Sequence, residues 1–201
     1  MIATGVLADA GVRLEPLSSA HVPGLLAAAT GDRSSYAYTW VPGALTEMRD
    51  YVDRALHAQA EGSAVPYAVV LPATGEVVGS TRLFEFVRFD DTAPHPQAAE
   101  IGYTWYAAHV QRTGLNTAVK SLLFTFAFDD WLVLRLSIKT HAANARSRAA
   151  IERLGARFEG VRRALPSTQD GTMRDVAFYS VIRSEWPAVK ARLASLRRTE
   201  A

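Results

Sequence analysis

Hydrophobic positions along the first half of the chain follow two spacings, one typical of strands and one typical of helices. Segments rich in β-branched and aromatic residues, which predict strands, lie at 12–17, 65–71, 76–87 and 98–106. Segments with apolar residues at helical spacing lie at 19–29, 46–60 and 118–128. We expect Thr46 to cap the second of these helices and Pro23 to interrupt the first one early. Turn residues at 72–75 predict a hairpin between the second and third strands.

The second half of the chain continues this alternation of strands and helices. Its predicted elements are a strand at 133–140, a helix at 144–154 that ends at Gly155, and strands at 156–163 and 173–182. Asp170 and Gly171 belong to the loop between the last two strands, and Ser184 is expected to cap a final amphipathic helix. This order, without a repeat or a linker, predicts a single domain over residues 1–201 of the α/β (α+β) class, with helices on both faces of the sheet.

A glycine turn lies between the strand at 98–106 and the helix at 118–128. It reads Gln111-Arg112-Thr113-Gly114-Leu115-Asn116-Thr117. A turn that leads directly into a helix presents free backbone N–H groups at the positive end of the helix dipole, which suits a phosphate or pyrophosphate. Arg112 and Lys120 add positive charge nearby. The spacing matches neither a P-loop nor a dinucleotide-binding turn, and on its own such a glycine is more often ordinary turn chemistry.

Composition and charge narrow the class of protein. With 201 residues and 49% hydrophobic content, the chain can bury a substantial core. It has no cysteine, which excludes disulfides, thiolate metal ligands and a cysteine nucleophile. A net charge of +2 gives no argument for nucleic acid or an anionic membrane. Residues 1–13 lack the features of a signal peptide and no segment reaches the roughly 18 apolar residues of a spanning helix, so a cytoplasmic location is expected.

Several separated motifs carry a family resemblance that extends from about residue 12 to residue 193. They are Ala99-Glu100-Ile101-Gly102-Tyr103-Thr104-Trp105, Gln111-x-x-Gly114-x-Asn116, Asn144-x-x-Ser147, Arg153-Leu154-Gly155-Ala156, Arg174-Asp175 and Glu185-Trp186-Pro187. In this order the chain resembles the GCN5-related N-acetyltransferases (GNAT), and more closely their RimJ/RimL-like branch of ribosomal-protein acetyltransferases. The resemblance implies a strongly twisted mixed sheet whose two central strands splay apart, with acetyl-CoA in the wedge between them and no metal.

The resemblance also implies a cofactor site formed by the splayed strand, the glycine turn and the start of the next helix. Its expected residues are Tyr103, Thr104, Trp105, Gln111, Arg112, Thr113, Gly114, Leu115, Asn116, Thr117 and Asn144. Asn116 replaces the last small residue of the family's Q/R-x-x-G-x-G/A pattern, and it either hydrogen-bonds the cofactor or caps the helix. Asn144 either binds the pantetheine arm or serves only as an N-cap. The arginine run is expected to be a solvated face, with binding of the CoA 3′-phosphate as the alternative. That run consists of Arg146, Arg148, Arg153, Arg157, Arg162 and Arg163.

Transfer of an acetyl group to an amine needs a base, and a carboxylate whose pKa is raised toward neutrality suits this role. Glu100 is the expected base because it is the one acid in an otherwise apolar or neutral strand. Period-two alternation places it with Gly102 and Thr104 and opposite Trp105. Alternatively, Glu100 is a solvated carboxylate without a catalytic role. Asp175 is the rival base, although a structural ion pair with the neighbouring Arg174 is the preferred interpretation for it. A backbone N–H near Tyr103 to Tyr106 is the expected donor to the developing oxyanion.

The expected proton donor departs from the family pattern. Many relatives carry a tyrosine on the helix after the asparagine motif, where this chain has Ile151. We therefore expect Ser147, directly or through water, to protonate the leaving thiolate; alternatively, its hydroxyl only bonds to the backbone. Tyr36, Tyr38 and Trp40 are candidates for the acceptor site, although scattered aromatic residues are more often core. His141 is more often incidental than catalytic at such a position.

The leading hypothesis is an acetyl-CoA-dependent N-acetyltransferase that acts on a primary amine by direct transfer in a ternary complex. The acceptor is either a protein N-terminus, as the ribosomal branch implies, or a small-molecule amine. The alternative is a non-catalytic acyl-CoA-binding regulatory module. Ile151 supports this alternative, because it replaces the tyrosine of many relatives and has no proton to donate. A weaker third hypothesis is an RNA-associated protein that uses the arginine run. Relatives are often dimers, so the resemblance leaves a homodimer open.

Overall fold

A computed structural model describes residues 5–90, 92–166 and 171–200 of the chain. The strands are Leu7–Ala8 (β1), Arg13–Pro16 (β2), Ala64–Val70 (β3), Val77–Val87 (β4), Ala98–Tyr106 (β5), Arg135–His141 (β6), Arg157–Pro166 (β7) and Met173–Ile182 (β8). The helices are Val22–Ala29 (α1), Leu45–Ala60 (α2), Leu115–Thr125 (α3), Ala145–Leu154 (α4) and Trp186–Glu200 (α5). The strands form one mixed sheet in the order β1-β2-β3-β4-β5-β6-β8-β7, which confirms the predicted class.

Helices cover both faces of this sheet, as predicted. On one face α1 packs on β4 and α2 packs on β3. On the opposite face α3 packs against α5, and the ring of Trp186 stacks on Phe128 with centroids 5.1 Å apart. Phe128 belongs to a π-helical turn, Phe126–Asp130, that continues α3. The buried aliphatic and aromatic side chains of the two faces form the hydrophobic core.

The predicted strands are all present, with ends that differ from the prediction by at most three residues. The hairpin of β3 and β4 turns at Gly75, whose φ of +73° favours glycine. The two-residue strand β1 was not predicted, because two residues are too short to show an alternating pattern. Of the predicted loop between β7 and β8, Asp170 lies outside the described residues.

The starts of the first and last helices differ from the prediction, and α3 begins at Leu115, three residues before its predicted start. Residues 19–21 form a separate 3₁₀ turn, and α1 begins at Val22. Pro23 therefore lies in the first turn of α1, where its missing N–H costs nothing, instead of interrupting the helix. Ser184 lies inside another 3₁₀ turn, Arg183–Glu185, that precedes α5, so it is not the cap of that helix.

The start of α2 is fixed by an acidic side chain. The carboxylate of Glu47 accepts hydrogen bonds from the backbone N–H groups of Gly43 at 2.8 Å and Ala44 at 3.2 Å. These bonds satisfy two N–H groups just before Leu45, where the helix starts. The prediction of Thr46 as N-cap is wrong, because Thr46 is already the second residue of the helix.

A β-bulge at Tyr103 changes the alternation within β5. Tyr103 has a φ of +51°, and between Gly102 and Trp105 two residues of β5 lie opposite the single residue Thr81 of β4. Trp105 therefore lies on the same face of the sheet as Glu100, and Thr104 lies on the opposite face. The prediction from strict period-two alternation is wrong for these two residues, because the bulge adds one residue to the count.

Candidate active site

The two parallel central strands separate from each other halfway along their length. The last register pair between β5 and β6 is Ile101 with Ile138, although β5 continues to Tyr106 and β6 to His141. The backbone groups on the facing edges beyond this pair need partners other than a neighbouring strand. The predicted splay is thus present, and it opens a wedge lined by backbone donors and acceptors.

Helix α3 begins just beyond the end of β5. Gly114 is its N-cap with a φ of +81°, a left-handed conformation that favours glycine. The first intrahelical bond runs from the N–H of Ala118 to the carbonyl of Gly114 at 3.1 Å. The N–H groups of residues 115–117 precede this bond and lie at the positive end of the helix dipole. Arg112 also has a positive φ of +64°, so two left-handed residues shape the loop. This geometry fits a bound phosphate.

Several predicted cofactor residues hold the glycine turn in place with their side chains. Gln111 donates from Nε2 to the carbonyl of Tyr106 and to the hydroxyl of Ser35, both at 2.9 Å. Thr113 donates its hydroxyl to the carbonyl of Val110 at 2.6 Å. These bonds order the loop without using the backbone N–H groups that face the anion.

The next residues of the turn divide between the loop and the core. Asn116 accepts a hydrogen bond from the hydroxyl of Tyr106 at 3.1 Å through Oδ1, so its amide is oriented by β5. Thr117 is buried, and its hydroxyl accepts a hydrogen bond from Arg153 of α4 at 3.1 Å. Leu115 is buried as well. The side chains of Leu115 and Thr117 thus pack inward, and it is the backbone N–H groups of these residues that a ligand can contact.

In β5, the predicted cofactor residues point their side chains into the protein. Thr104 shares a short hydrogen bond of 2.7 Å with the hydroxyl of Thr81. Trp105 is buried and donates from its indole N–H to the hydroxyl of Tyr51 at 3.4 Å. The ring of Tyr103 lies 3.8 Å from the guanidinium carbon of Arg82. The part of these residues that faces the wedge is therefore their backbone. The predicted oxyanion donor is a backbone N–H of this segment.

Helix α4 begins on the other side of the wedge, after β6. Asn144 is its N-cap, and Oδ1 accepts the backbone N–H of Ser147 at 3.0 Å. The capping role of Asn144 is therefore present in the structure. The hydroxyl of Ser147 is left for other partners at a half-buried position. Ile151 is only 5% exposed and packs into the core, one turn deeper.

Arg146 connects the two sides of the wedge. From α4 it donates to the carbonyl of Ser35 at 2.7 Å and to Oε1 of Gln111 at 3.3 Å. Tyr36 donates its hydroxyl to the carbonyl of Tyr106 at 2.8 Å. The loop around residue 35 is therefore joined to the end of β5 and to α4, and it closes one end of the wedge.

Glu100 combines burial with a charged neighbour. Its side chain is 3% exposed, and Oε1 lies 3.2 Å from Nζ of Lys139 on β6. Lys139 also contacts the carboxylate of Glu85 at 2.7 Å. Burial raises the pKa of Glu100 to about 7, although the attraction of Lys139 acts in the opposite direction. This is the pKa range of a general base at neutral pH.

Asp175, the rival base, has a structural contact. Its exposed carboxylate accepts the backbone N–H of Ala164 at 2.9 Å across the β7–β8 pair. Ala164 has a φ of +52°, so the bond stabilises an irregular position of β7. The backbone contact, rather than an ion pair with Arg174, is the bond that the structure gives this carboxylate.

The aromatic loop predicted for the acceptor site lines a cleft of about 770 Å³. Tyr36, Tyr38 and Trp40 form one wall, and His141 and Arg174 contribute from the opposite side. The ring of Tyr38 lies 4.8 Å from the ring of His141. Since the cleft reaches the end of β6, it lies beside the wide end of the wedge. The structure therefore brings His141 together with the loop, a contact that the sequence did not predict.

Two basic side chains are buried at positions that the sequence did not predict: Lys120 was expected beside the glycine turn, and Arg82 was not expected to belong to the site. Lys120 of α3 is 4% exposed, and it donates to the hydroxyl of Thr104 at 2.9 Å instead of adding charge to the glycine turn. Burial lowers the pKa of Lys120 to about 7. Arg82 of β4 is 6% exposed. The sequence contains a signal for the burial of both residues, since Lys120 lies among apolar residues of a predicted helix and Arg82 among apolar residues of a predicted strand.

The arginine run makes local contacts along α4 and β7. Arg148 donates to the hydroxyl of Tyr179 at 2.9 Å, and Arg157 pairs with Glu185 at 2.9 Å. Arg162 lies over the ring of Phe178 at 5.3 Å. Arg146 contacts the loop around residue 35, and Arg153 contacts Thr117 of α3. These five arginines therefore each have a partner within the fold.

Among residues 5–90, 92–166 and 171–200, no group of three or more His, Cys, Asp or Glu side chains is arranged to hold a metal ion. Within the same part of the chain, no helix has the length and apolar character needed to cross a membrane.

Comparisons with known proteins agree with this geometry. The family model described as Acetyltransferase (GNAT) domain matches residues 12–157. A protein of Bacillus subtilis (strain 168), named "Putative ribosomal N-acetyltransferase YdaF", is 36% identical over 92 residues. This match covers 46% of the chain and 49% of that protein, so the chain spans about half the length of this curated relative.

Two solved structures share the fold over nearly the whole chain. A GCN5-related N-acetyltransferase from Brucella melitensis is 29% identical with a TM-score of 0.82, covering 98% of this chain and 86% of that one. A protein from T. thermophilus, described as a "putative acetyltransferase", is 31% identical with a TM-score of 0.81, and the match covers 97% of this chain and 98% of the other.

Proposed function

Because the chain belongs to the GNAT acetyltransferase family, we propose that it is an acetyl-CoA-dependent N-acetyltransferase that acts on a primary amine. The observation that carries the proposal is the wedge between β5 and β6, whose strands separate after Ile101 and Ile138. A wedge with a helix N-terminus at one end and a buried carboxylate near its apex suits a long anionic thioester and an amine.

The residues present fit acetyl-CoA at three points. The N–H groups of residues 115–117 and the left-handed Gly114 would hold the pyrophosphate. The free backbone edge of β5 beyond Ile101 would hydrogen-bond the pantetheine arm. Asn116 and Asn144 flank the two ends of this path, each with its oxygen already engaged within the protein. When bound, acetyl-CoA supplies an acetyl group activated as a thioester.

Glu100 is proposed to take the proton from the acceptor ammonium. Its raised pKa allows it to be deprotonated at neutral pH and still hold a proton that it receives. The backbone N–H groups of the bulge at Tyr103 are proposed to donate to the developing oxyanion, since the bulge turns them out of the β-ladder. Ser147 is proposed to supply a proton to the leaving sulfur, directly or through water.

A protein N-terminus is the proposed acceptor, in the cleft beside the wedge. The name of the Bacillus subtilis relative supports this choice, and the cleft beside the wedge has a volume of about 770 Å³. Direct transfer in a ternary complex is proposed, and the lack of cysteine excludes a cysteine acyl-enzyme as the other route.

Calorimetric titration of the pure protein with acetyl-CoA tests the cofactor, with Gly114→Trp as the control that fills the turn. We expect micromolar affinity in the wild type and none in the variant. A CoA-release assay with peptides and small amines then tests catalysis. Binding without CoA release over the whole panel would favour a non-catalytic acyl-CoA-binding module instead. No binding to any acyl-CoA would overturn the proposal.

A further inference from the structure

Arg82 is a buried cation held between aromatic rings. Its guanidinium carbon lies 3.8 Å from the ring centroid of Tyr103 and 5.1 Å from that of Tyr51. The residue is 6% exposed, and its Nε has no hydrogen-bond partner among the described residues. The rings lower the cost of burying the charge, but they accept none of the hydrogen bonds that a guanidinium offers in its plane.

Such an arrangement is incomplete without an anion. A buried charged group is normally paired and hydrogen-bonded, because desolvation costs several kcal/mol per ion. The guanidinium plane presents a fork of donors that fits a carboxylate in a bidentate manner. The contacts that the structure gives Arg82 are with rings, and no salt bridge to it is found among the described residues, so its guanidinium is able to bind an anion from a ligand.

The position of Arg82 indicates which ligand brings that anion. Arg82 is the register partner of Gly102, and Glu100 lies two residues before Gly102 on the same face of β5. Diagonal neighbours of this kind have Cα atoms roughly 7–8 Å apart. The pyrophosphate cradle at Gly114 follows the far end of β5, so Arg82 lies at the reacting end of the wedge, where the acceptor enters.

The acceptor cleft connects to Arg82 through packed rings. Trp40 lines the cleft, and its ring lies 6.4 Å from that of Tyr51. The ring of Tyr36, on the same wall, lies 6.3 Å from that of Trp105. Tyr51 therefore packs against Trp40 of the cleft and against the guanidinium of Arg82. Arg82 thus lies one ring behind the wall of the cleft.

We propose that Arg82 binds a carboxylate carried by the amine acceptor, and that this contact selects the acceptor. The chemical class is an amine with a carboxylate a few bonds from the nitrogen. Two sources share this chemistry: a polypeptide whose first residue is Asp or Glu, and a free amino acid with its own α-carboxylate. With the amine at Glu100, the carboxylate reaches Arg82 along the same face of the sheet. The inference rests on the proposed N-acetyltransferase function.

The test compares acceptors that differ only in the carboxylate. CoA release is measured with two short peptide amides that begin with Glu or Gln, and with free glutamate and its α-amide. We expect kcat/KM to favour the carboxylate member of a pair by about 10- to 100-fold, the range of a charge-assisted hydrogen bond. A preference within the peptide pair assigns a polypeptide acceptor, and a preference within the free pair assigns an amino acid.

Variants connect the preference to the arginine. Arg82→Met keeps the length and apolar stem of the side chain and should abolish the preference, mainly through KM, with the neutral acceptors unchanged within threefold. Arg54→Met removes an equally positive, exposed residue of α2 and should leave the preference intact. An equal loss of kcat for charged and neutral acceptors in Arg82→Met would overturn the inference and indicate an oxyanion donor instead.

A binding measurement keeps the inference falsifiable without turnover. The complex with CoA is titrated with N-acetylglutamate and with its diamide, which has neither carboxylate, and the melting temperature of each variant confirms folding. Tighter binding of N-acetylglutamate in the wild type and in Arg54→Met, but not in Arg82→Met, is the expected result. Equal affinities in the wild type would exclude a carboxylate site at Arg82, whereas loss of acetyl-CoA binding itself would count against the proposed function.

Discussion

The carboxylate of Glu100 lies 3.2 Å from the ammonium of Lys139, yet burial raises its pKa to about 7. An ion pair alone would lower this pKa, so desolvation is the larger effect. Lys139 is also held by Glu85 at 2.7 Å, and it is therefore shared between a buried and an exposed carboxylate. Glu100 is thus kept near its protonation midpoint at neutral pH.

The first prediction concerns the pH dependence of catalysis. As pH rises through 7, Glu100 loses its proton and becomes able to accept one from the substrate. Below pH 7, kcat/KM should therefore fall about tenfold per pH unit. Glu100→Gln should lower kcat by on the order of 10²- to 10⁴-fold and remove this limb of the profile. The pH profile of Glu100→Gln should still change near pH 8 because of the acceptor itself, since an N-terminal amine has a pKa of about 8.

Glu85→Gln is the matched control for this measurement. It removes the other carboxylate on Lys139, at an exposed position, and should change kcat by less than about threefold. Calorimetry should show the same acetyl-CoA affinity for both variants as for the wild type. A limb at pH 7 that persists in Glu100→Gln would assign the titration to another group.

The second prediction concerns the anion cradle. Gly114 has a φ of +81° as N-cap of α3, so Gly114→Ala introduces strain and places a methyl group beside the N–H groups of residues 115–117. We expect acetyl-CoA affinity to fall at least tenfold. Gly62→Ala is the control, since Gly62 has a φ of +72° and open space at its Cβ position. Both variants should lose about 1 kcal/mol of stability, and only Gly114→Ala should lose affinity.

Local features of the fold could be predicted from the sequence because they depend on neighbouring residues. The anion turn at Gly114 and the N-cap Asn144 have short signals that the structure contains. The identity of Glu100 as the single acid of β5 was equally visible. Its burial and its contact with Lys139 were not, because these two residues are nearly 40 positions apart in sequence and lie on strands that pair in parallel.

Features that depend on tertiary pairing could not be predicted. The bulge at Tyr103 arises from the register with β4 and moved Trp105 to the face of Glu100. Arg82 lies in a strand whose pattern gives no sign that rings from two other elements enclose its guanidinium. Its burial follows from the packing of α2 on the sheet.

The third prediction separates capping from catalysis at the start of α4. Asn144→Ala removes the acceptor of the Ser147 N–H and should cost about 1 kcal/mol of stability in urea denaturation. Ser147→Ala leaves this backbone bond in place, so stability should change by less than about 0.5 kcal/mol, the limit for an exposed substitution. Its kcat should fall about tenfold or more at unchanged acetyl-CoA affinity if the hydroxyl supplies the proton. An unchanged kcat would assign Ser147 a structural role only.

The fourth prediction concerns the buried ammonium of Lys120. Burial lowers its pKa from 10.5 to about 7 in the folded protein, and the unfolded chain keeps the higher value. Between these two values the unfolded state binds more protons, so the free energy of unfolding rises with pH across this window. Below pH 7 Lys120 is charged in both the folded and the unfolded state, so the full free-energy cost of burying the charge lowers the stability of the folded protein.

Lys120→Met should therefore stabilise the protein most at pH 6, by on the order of 2 kcal/mol, and least near pH 10. Thr104 keeps its hydrogen bond to Thr81 at 2.7 Å in this variant, so no buried hydroxyl is left unpaired. Lys190→Met is the control, because that lysine pairs with Asp129 at the surface and its loss should have a small effect at every pH. Urea denaturation at pH 6, 8 and 10 measures the difference. A less stable Lys120→Met protein at pH 6 would mean that the ammonium is favourably paired within the core.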